Sequence, residues 1–152
     1  MDSPKREKVR NFLYPKNAVA SIIKFKDKYL FQLRDKKNNI FFPNMWGLFG
    51  GAVEVNESYL DGLKREVSEE LNININNKEI KFVTNISFEI KKKCIERYIF
   101  VFKLSNDEFK KLKISEGQKI GLFNKNEIKK IQVVPYDSLA IWLFLNHSRL
   151  RL

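Results

Sequence analysis

The sequence is poor in the residues that build covalent cross-links and transition-metal sites. Its 152 residues include one cysteine, Cys94, and one histidine, His147. A single cysteine excludes an intramolecular disulfide and a cysteine-built zinc site, and a single histidine argues against a histidine-rich metal site or a histidine-based triad. This usage is typical of a reducing compartment, so we expect a cytoplasmic protein.

The chain also lacks long apolar segments. No apolar run reaches the roughly 18 residues that a transmembrane helix needs. The first twelve residues, MDSPKREKVRNF, are charged and no apolar segment follows them, so we expect no signal peptide and no membrane partner. With 43% apolar and 31% charged residues, the composition predicts a single soluble domain over residues 1–152, with residues 1–14 as a flexible or edge segment.

Acidic residues are outnumbered by basic ones. There are 29 Lys and Arg against 18 Asp and Glu, a net charge of +11. Basic surfaces attract nucleic acid, anionic membranes and phosphorylated small molecules. The lysines are dispersed along a chain that is also rich in Asn, Ile and Phe, which is typical of a compositional bias as well. We therefore favour a small-molecule partner over nucleic acid, and we interpret the longest basic run, residues 91–93, as a solvated hairpin turn.

The apolar periodicity predicts alternating strands and helices. Strands are expected at residues 17–25, 29–33, 80–90, 95–104 and 120–123, with a strand end or tight turn at 46–51. Helices are expected at residues 58–71, 126–130 and 136–145, and a short helix or loop at 105–113. This order predicts an α/β fold in which a mixed sheet is layered with a central helix and a C-terminal helix.

The clearest helix covers residues 58–71. Asn56 or Ser58 is expected to cap its start, and Asn72, which tolerates a left-handed backbone, is expected to end it. Apolar residues recur at three- and four-residue steps and predict a stripe that packs on the sheet: Leu60, Leu63, Val67 and Leu71.

Three glutamates on this helix share one face, because Glu66, Glu69 and Glu70 stand at i, i+3 and i+4. Like charges at these spacings repel one another, and Arg65 can offset only one of them. A hard divalent cation such as Mg²⁺, which prefers oxygen ligands, could offset the rest. The alternative is a solvated acidic face. Gly62, one turn earlier, is either a tolerated helix glycine or a place where a ligand approaches closely.

The segment from Gly51 to Ile73 resembles the Nudix box, G-x5-E-x7-R-E-U-x-E-E-x-G-U, in which U is aliphatic. Asn72 replaces the second glycine, and residues 46–51 (WGLFGG) are similar to the strand that enters the box, although many members have Pro where Phe49 stands. The resemblance implies the family's α/β/α sandwich, with residues 58–71 as the catalytic helix. The residues that match the box in register are Gly51, Glu57, Arg65, Glu66, Val67, Glu69, Glu70 and Ile73.

The resemblance also implies a metal site and a reaction. Mg²⁺, for which Mn²⁺ could substitute, would be bound by the Gly51 carbonyl and by Glu57, Glu66, Glu69 and Glu70. Arg65 would hold Glu66 by an ion pair. Glu116, in a loop that resembles one supplying a further carboxylate, could also bind metal or act as the base, and Glu66 and Glu69 are equal candidates for the base.

The implied reaction is hydrolysis of a nucleoside diphosphate linked to a group X, by attack of water on phosphorus. The leading interpretation is a nucleoside triphosphate, free and perhaps oxidised, that yields the monophosphate and pyrophosphate. One alternative moves the same chemistry to the 5′ end of RNA, and another keeps the fold as a non-catalytic binding or regulatory module. The protein could be a monomer or a homodimer.

Substrate choice lies outside the box. Residues 134–138 resemble the stretch that lines the base pocket of oxidised-purine hydrolases, so Asp137 could read the base, or it could simply cap the last helix. Trp46, Phe49 or Tyr136 could stack on the base. The charge alone suggests phosphate contacts for Lys16, Arg34 and Arg97.

Overall fold

The computed structural model describes the backbone of residues 16–150 and the side chains of residues 17–147. The expected flexible or edge segment at residues 1–14 and the side chain of Lys16 lie outside this part. The elements in chain order are β1 (Lys16–Phe25), β2 (Lys28–Leu33), β3 (Trp46–Gly47), β4 (Phe49–Ala52), α1 (Tyr59–Leu71), β5 (Lys81–Ile90), β6 (Lys93–Lys103), α2 (Asn106–Lys111), β7 (Lys119–Phe123), α3 (Lys125–Ile128) and α4 (Pro135–Leu150).

The strands form one mixed sheet, as the sequence predicted. Its order is β3-β2-β1-β6-β5, with β4 paired to β1 and β7 paired to β2. β1 and β6 run parallel, while the remaining pairs are antiparallel. The long β1 therefore occupies the centre, and β4, the strand that precedes α1 in the chain, runs beside it.

Alternate residues of β1 enter two cores on opposite faces of the sheet. Val19 and Ile23 pack with the apolar stripe of α1, whereas Ala20 and Ile22 pack with Ala140 and its neighbours on α4. Helices therefore cover both faces, which confirms the expected α/β/α sandwich. In the described part of the chain, no helix is long and apolar enough to cross a membrane.

Helix α1 begins and ends where the sequence predicted. The Ser58 hydroxyl accepts a hydrogen bond from the Asp61 N–H at 3.1 Å, and Asn72 ends the helix with φ 55° and ψ 39°. Asn56 is not the cap: it has a positive φ in the turn before the helix. The stripe was wrong at Leu60, which is 38% exposed. In this first turn it is Tyr59 that packs on the core, where its ring stacks on Tyr98 of β6 with centroids 3.7 Å apart.

The hairpin between β5 and β6 confirms the turn expected at the basic run. Lys91 and Lys92 have φ of 48° and 63° and connect the two strands, and Lys93 is already the first residue of β6. Cys94 follows it on the surface as a free thiol. The short basic run is therefore explained by the turn without any ligand.

Candidate active site

The glutamates of α1 lie against β4 because one of them is anchored there. Glu70 is only 4% exposed, and its Oε2 accepts a hydrogen bond from the Gly50 N–H at 2.9 Å. Gly50 has a φ of 153°, and a Cβ on it would lie 2.0 Å from the carbonyl oxygen of Val19 in β1. Glycine is therefore required at this point, where β4 passes close to the central strand.

Arg65 binds several carboxylates at once. Its Nε lies 2.8 Å from Glu57 Oε1, and its Nη1 lies 2.9 Å from Glu66 Oε1 and 3.4 Å from Glu69 Oε2. Its Nη2 also donates to the Ala52 carbonyl at 3.0 Å. The predicted ion pair with Glu66 is present. The arginine also joins the loop before α1 to the end of β4.

Two glycines allow these carboxylates to approach the backbone. A Cβ on Gly51 would lie 2.4 Å from the carboxyl carbon of Glu66, so any larger residue displaces that side chain. A Cβ on Gly62 would lie 3.2 Å from Glu57 Oε2. The close approach that the sequence suggested at Gly62 is therefore made by Glu57.

The glutamate cluster of the box has uncompensated negative charge at its buried end, which Glu66 and Glu70 form. The hydrogen bond from Arg65 lowers the pKa of Glu57. Burial raises the pKa of Glu66, and burial together with the charges of Glu66 and Glu116 raises the pKa of Glu70 to about 8. Exposed Glu116 is thus close enough to add to the negative field, although it makes no part of the Arg65 network.

These carboxylates suit a hard divalent cation. Within the described residues, no three acidic, histidine or cysteine side chains are already arranged around a single cation position, because Arg65 lies among the glutamates. The donor set is nevertheless all oxygen. Burial, and after it the neighbouring carboxylates, raises the pKa values of Glu66 and Glu70, and a bound cation would favour their ionised forms. The residues therefore fit Mg²⁺ by chemistry.

On the other side of the sheet, Asp137 is buried and bound within the protein. Its Oδ2 accepts from the Leu48 N–H at 3.0 Å, and its Oδ1 lies 3.0 Å from Arg97 Nη2. Burial raises the pKa of Asp137, and Arg97 acts against that rise. The expectation that Asp137 only caps the last helix is wrong, since its carboxylate binds Leu48 outside α4. The phosphate contact suggested for Arg97 competes with this ion pair.

An aromatic cluster adjoins this ion pair. The rings of Tyr136 and Phe88 stack with centroids 4.5 Å apart, Phe42 meets Tyr136 edge-on at 5.7 Å, and the Arg97 guanidinium lies 5.0 Å from the Tyr136 centroid. Arg34 donates from Nε to the Phe41 carbonyl at 3.0 Å, closing the loop between β2 and β3. Tyr136 is half-buried, and its ring is contacted by Phe88, Phe42 and Arg97.

The structure corrects the stacking role predicted for Phe49 and limits the space around Trp46, another of the predicted stacking residues. Phe49 is fully buried in the α1-side core, which leaves its ring no face for a base. The sequence misassigned it because a strand of four residues gives too short a pattern to tell its two faces apart. Trp46 is half-buried, with Phe123 edge-on at 4.8 Å and the Lys119 ammonium 5.8 Å from its centroid.

Two polar residues that the sequence did not single out support β4 from within the core. Ser21 Oγ donates to the Phe49 carbonyl at 3.1 Å, and Gln32 Nε2 donates to the Leu48 carbonyl at 3.3 Å. Both are buried. The signal was present, since each interrupts an apolar strand at a position that the period-2 pattern places inside.

A cleft of about 740 Å³ lies away from the glutamates, between the segment after α1, the end of β6 and α2. Among its lining residues, Lys78 pairs with Glu108 at 2.5 Å and Lys81 pairs with Glu79 at 3.3 Å. Because these charges are already compensated, the carboxylate cluster on α1 is the candidate active site rather than this cleft.

Comparison with known proteins identifies the family. A sequence model of the NUDIX domain matches residues 14–150. The MutT protein from Methanosarcina mazei Go1 is 22% identical, with a TM-score of 0.74 over 90% of this chain and 97% of that one. An Ap4A hydrolase from C. elegans is 20% identical, with a TM-score of 0.71 over 88% of this chain and 98% of that one.

A third similar structure has a different substrate in its name. The dihydroneopterin triphosphate pyrophosphohydrolase from E. coli is 17% identical, with a TM-score of 0.69 over 86% of this chain and 96% of that one. No curated protein sequence matches this chain. The domain match covers most of the chain. Glu66, Glu69, Glu70 and Arg65 of the box lie on α1, and Glu57 lies in the loop before it. The chain therefore belongs to the Nudix family of hydrolases.

Proposed function

We propose that the protein hydrolyses a pyrophosphate bond of a nucleoside diphosphate linked to X, with Mg²⁺ as cofactor. The preferred substrate is a free nucleoside triphosphate, including oxidised forms, which yields the monophosphate and pyrophosphate. The names of the similar structures support a phosphorylated small molecule: one acts on Ap4A and another on dihydroneopterin triphosphate. A cytoplasmic location, where such nucleotides are made and used, belongs to the proposal.

One observation carries the proposal: the box carboxylates are held close together, three of them by Arg65 and the fourth by strand β4. Arg65 joins Glu57, Glu66 and Glu69, and Gly50 holds Glu70. In a protein that had lost catalytic activity, buried like charges would not be expected to stay close together, because their repulsion lowers the stability of the fold. The arrangement therefore supports an enzyme over a module that only binds ligands.

The residues of the chain have two roles in this reaction. Some position the metal and its carboxylate ligands, and others accept the proton. A bound Mg²⁺ would supply charge neutralisation for the phosphate oxygens and activation of water. Gly51, Glu57, Glu66, Glu69 and Glu70 would hold it. Arg65 orients Glu57 and Glu66 through fixed ion pairs.

Proton transfer needs a carboxylate within reach of the attacking water. The water oxygen forms a bond to phosphorus, the bond from phosphorus to the bridging oxygen breaks, and the water proton passes to the base. Glu66, Glu69 and Glu116 remain the candidates. Glu69 and Glu116 are exposed and free to reach water, whereas Glu66 lies mostly enclosed by Arg65 and Gly51.

The nucleoside would bind near Tyr136, where a half-buried aromatic ring lies beside two arginines. Phe88 stacks on this ring and Arg97 lies over it, so a nucleobase would have to displace one of them. Arg34 and Arg97 are close enough to affect the pKa of Tyr136, which burial raises. Asp137 would contact the nucleobase only if its ion pair with Arg97 breaks. We therefore assign base stacking to Tyr136 and Trp46 and phosphate or ribose contact to Arg34.

The test is a substrate panel in Mg²⁺, with product identified by chromatography. It includes the common nucleoside triphosphates, oxidised forms, nucleotide sugars, dinucleoside polyphosphates and RNA with a 5′ triphosphate or cap. Turnover of a free nucleotide to monophosphate and pyrophosphate is expected. The +11 charge favours RNA as the second candidate, and preferential release from the RNA 5′ end would replace the first. No turnover of any substrate would leave the binding-module interpretation.

A further inference from the structure

Strand β4 and Leu48, the residue directly before it, are held in place by side chains from four elements, one of which reaches Leu48 from the opposite face of the sheet. α1 packs in the core on one face and α4 in the core on the other. These side chains are Ser21 of β1, Gln32 of β2, Glu70 of α1 and Asp137 of α4. Asp137 therefore joins the C-terminal helix to the strand that contacts the glutamates.

The contact of Asp137 is built into the fold. The carboxylate is 2% exposed and accepts from the Leu48 N–H. Gly47 makes room for it, because a Cβ there would lie 3.2 Å from Asp137 Oδ2. Arg97 of β6, with 11% of its side chain exposed, holds the other carboxylate oxygen. The ion pair with Arg97 and the hydrogen bond from Leu48 compensate most of the cost of burying this charge. Among the described residues, Asp137 Oδ1 and Arg97 Nε have no hydrogen-bond partner.

Leu48 is two residues from the glutamate site. The Gly50 N–H binds Glu70, and Gly51 is the residue against which Glu66 packs. A displacement of the Leu48 N–H would therefore move Gly50 and Gly51 relative to α1. The Arg97 charge also acts on Glu70, so the two sides of the sheet are linked electrostatically as well.

We propose that Asp137, held by Arg97, is a positioning residue for the glutamate cluster: it fixes Leu48 and thereby places Gly50 and Gly51 against Glu70 and Glu66. It does so without touching substrate or metal. The catalytic consequence rests on the proposed function, whereas the effect on β4 does not.

The test compares Asp137→Ala with Asp137→Asn in the full chain. In Asp137→Ala, hydrogen exchange of the Gly50 amide should become about 10-fold faster or more. The exchange rate is measured by NMR in EDTA. The substitution should weaken Mn²⁺ affinity, measured by electron paramagnetic resonance, about 10- to 100-fold, the usual effect of losing a residue that orients ligands. Asn keeps an oxygen for the Leu48 N–H, so Asp137→Asn should restore most of both.

Kinetics separate positioning from base recognition. For a positioning residue, kcat falls in Asp137→Ala while KM for the nucleotide changes less than about 3-fold. The matched control is Glu108→Ala, which removes an ion pair with Lys78 and a helix cap at Ser105, on a different part of the molecule. The control should lose stability with no change in Gly50 exchange or Mn²⁺ affinity.

Several results would overturn the proposal. One is an Asp137→Ala protein that folds with wild-type Gly50 exchange and Mn²⁺ affinity, which makes the residue structural only. Another is a rise in KM confined to one base, which makes Asp137 a base reader. If Asp137→Ala does not fold, Arg97→Gln replaces it, and faster Gly50 exchange is again required. If wild-type protein hydrolyses nothing in the panel, the proposed function fails while Gly50 exchange still decides the positioning.

Discussion

The buried carboxylate of Glu70 accepts a hydrogen bond from the Gly50 N–H at 2.9 Å, which fastens the last turn of α1 to strand β4. Hydrogen bonds of backbone N–H groups to a carboxylate are among the stronger ones in proteins. Burial and the charge of Glu66 make the ionised form of Glu70 unfavourable unless something positive shares the site. The hydrogen bond from Gly50 stabilises Glu70 in this position, whereas the charge of Glu66 opposes its ionisation. These two effects determine how the site should respond to mutation, metal and pH.

Changing Glu69 or Glu70 to Gln should reduce kcat by at least about 10²-fold, the scale of losing a key electrostatic group. Each substitution keeps the size of the side chain but removes a charge that we assign to metal binding. Circular dichroism should show an intact fold in both variants. Glu79→Gln is the control, because this glutamate is 81% exposed and pairs only with Lys81. Near-normal rates in both box variants would mean that the box is a relic.

Chelation should abolish turnover. Partly buried carboxylates that lie close together need a cation to bind a phosphate chain, which carries further negative charge. We expect excess EDTA to stop hydrolysis, and Mg²⁺ or Mn²⁺ to restore it in proportion to the free metal. Undiminished activity in excess chelator would exclude the metal mechanism.

Most of the helices and strands could be predicted from the sequence, because they depend on residues that are close together along the chain. Helix α1 has a serine cap, a three-four apolar repeat and an asparagine that accepts φ 55°, and each of these is readable from neighbouring residues. The Arg65–Glu66 pair follows from a motif. Such features depend on residues that are close along the chain.

The contacts that the sequence missed link residues that are far apart along the chain. Asp137 binds Leu48 across 89 residues, and Gln32 binds the same residue across 16. Phe49 was misassigned to a substrate pocket because its burial depends on which face of a four-residue strand meets α1. No local pattern encodes these pairings, which arise only when β4 is placed beside β1.

The metal-free protein should lose stability as pH rises. The pKa of Glu70 is about 8 in the folded protein and near 4.5 in an unfolded chain. Between these values the folded state keeps a proton that the unfolded state has released, so the free energy of unfolding falls with rising pH, by at most about 1.4 kcal/mol per pH unit for one group. Above about pH 8 this contribution is flat.

Urea unfolding in EDTA at pH 5, 6.5 and 8 measures this dependence. Glu70→Gln should show a shallower decline than wild-type protein over the same range. Saturating Mg²⁺ should flatten the wild-type curve in the same way, because the cation favours the ionised carboxylate. Identical slopes for wild type and variant would show that Glu70 does not carry the raised pKa.

Gly51→Ala should impair the site more than Gly62→Ala. A Cβ at position 51 would lie 2.4 Å from the carboxyl carbon of Glu66, whereas one at 62 would lie 3.2 Å from a Glu57 oxygen. Displacing Glu66 by about 1 Å or more should lower kcat by about 10- to 100-fold. Gly62→Ala adds up to about 1 kcal/mol of helix propensity and needs only a small movement of Glu57. Equal activity in the two variants would contradict the close packing of Glu66 on Gly51.

The salt dependence of binding separates a free-nucleotide enzyme from one that acts on RNA. Binding of single-stranded RNA should weaken with salt at a log–log slope of about −0.7 per phosphate contacted. A free nucleotide offers only about two or three phosphates, and part of their charge is met by metal, so its KM should respond weakly between low and physiological salt. We expect the weak response, since the lysines are dispersed along the chain and, in the described structure, Lys37, Lys78 and Lys81 already pair with carboxylates.

The measurement is fluorescence anisotropy of a labelled single-stranded oligonucleotide alongside KM for the preferred nucleotide, both over the same salt series. A variant with Lys91 and Lys92 changed to Gln is the control for non-specific attraction, because the structure places these lysines in a hairpin turn. Tight oligonucleotide binding with a slope that corresponds to about five or more contacts, and that survives in this variant, would reverse the preference. The basic surface would then belong to an RNA substrate, and Tyr136 would be the first ring to examine for stacking on its terminal base.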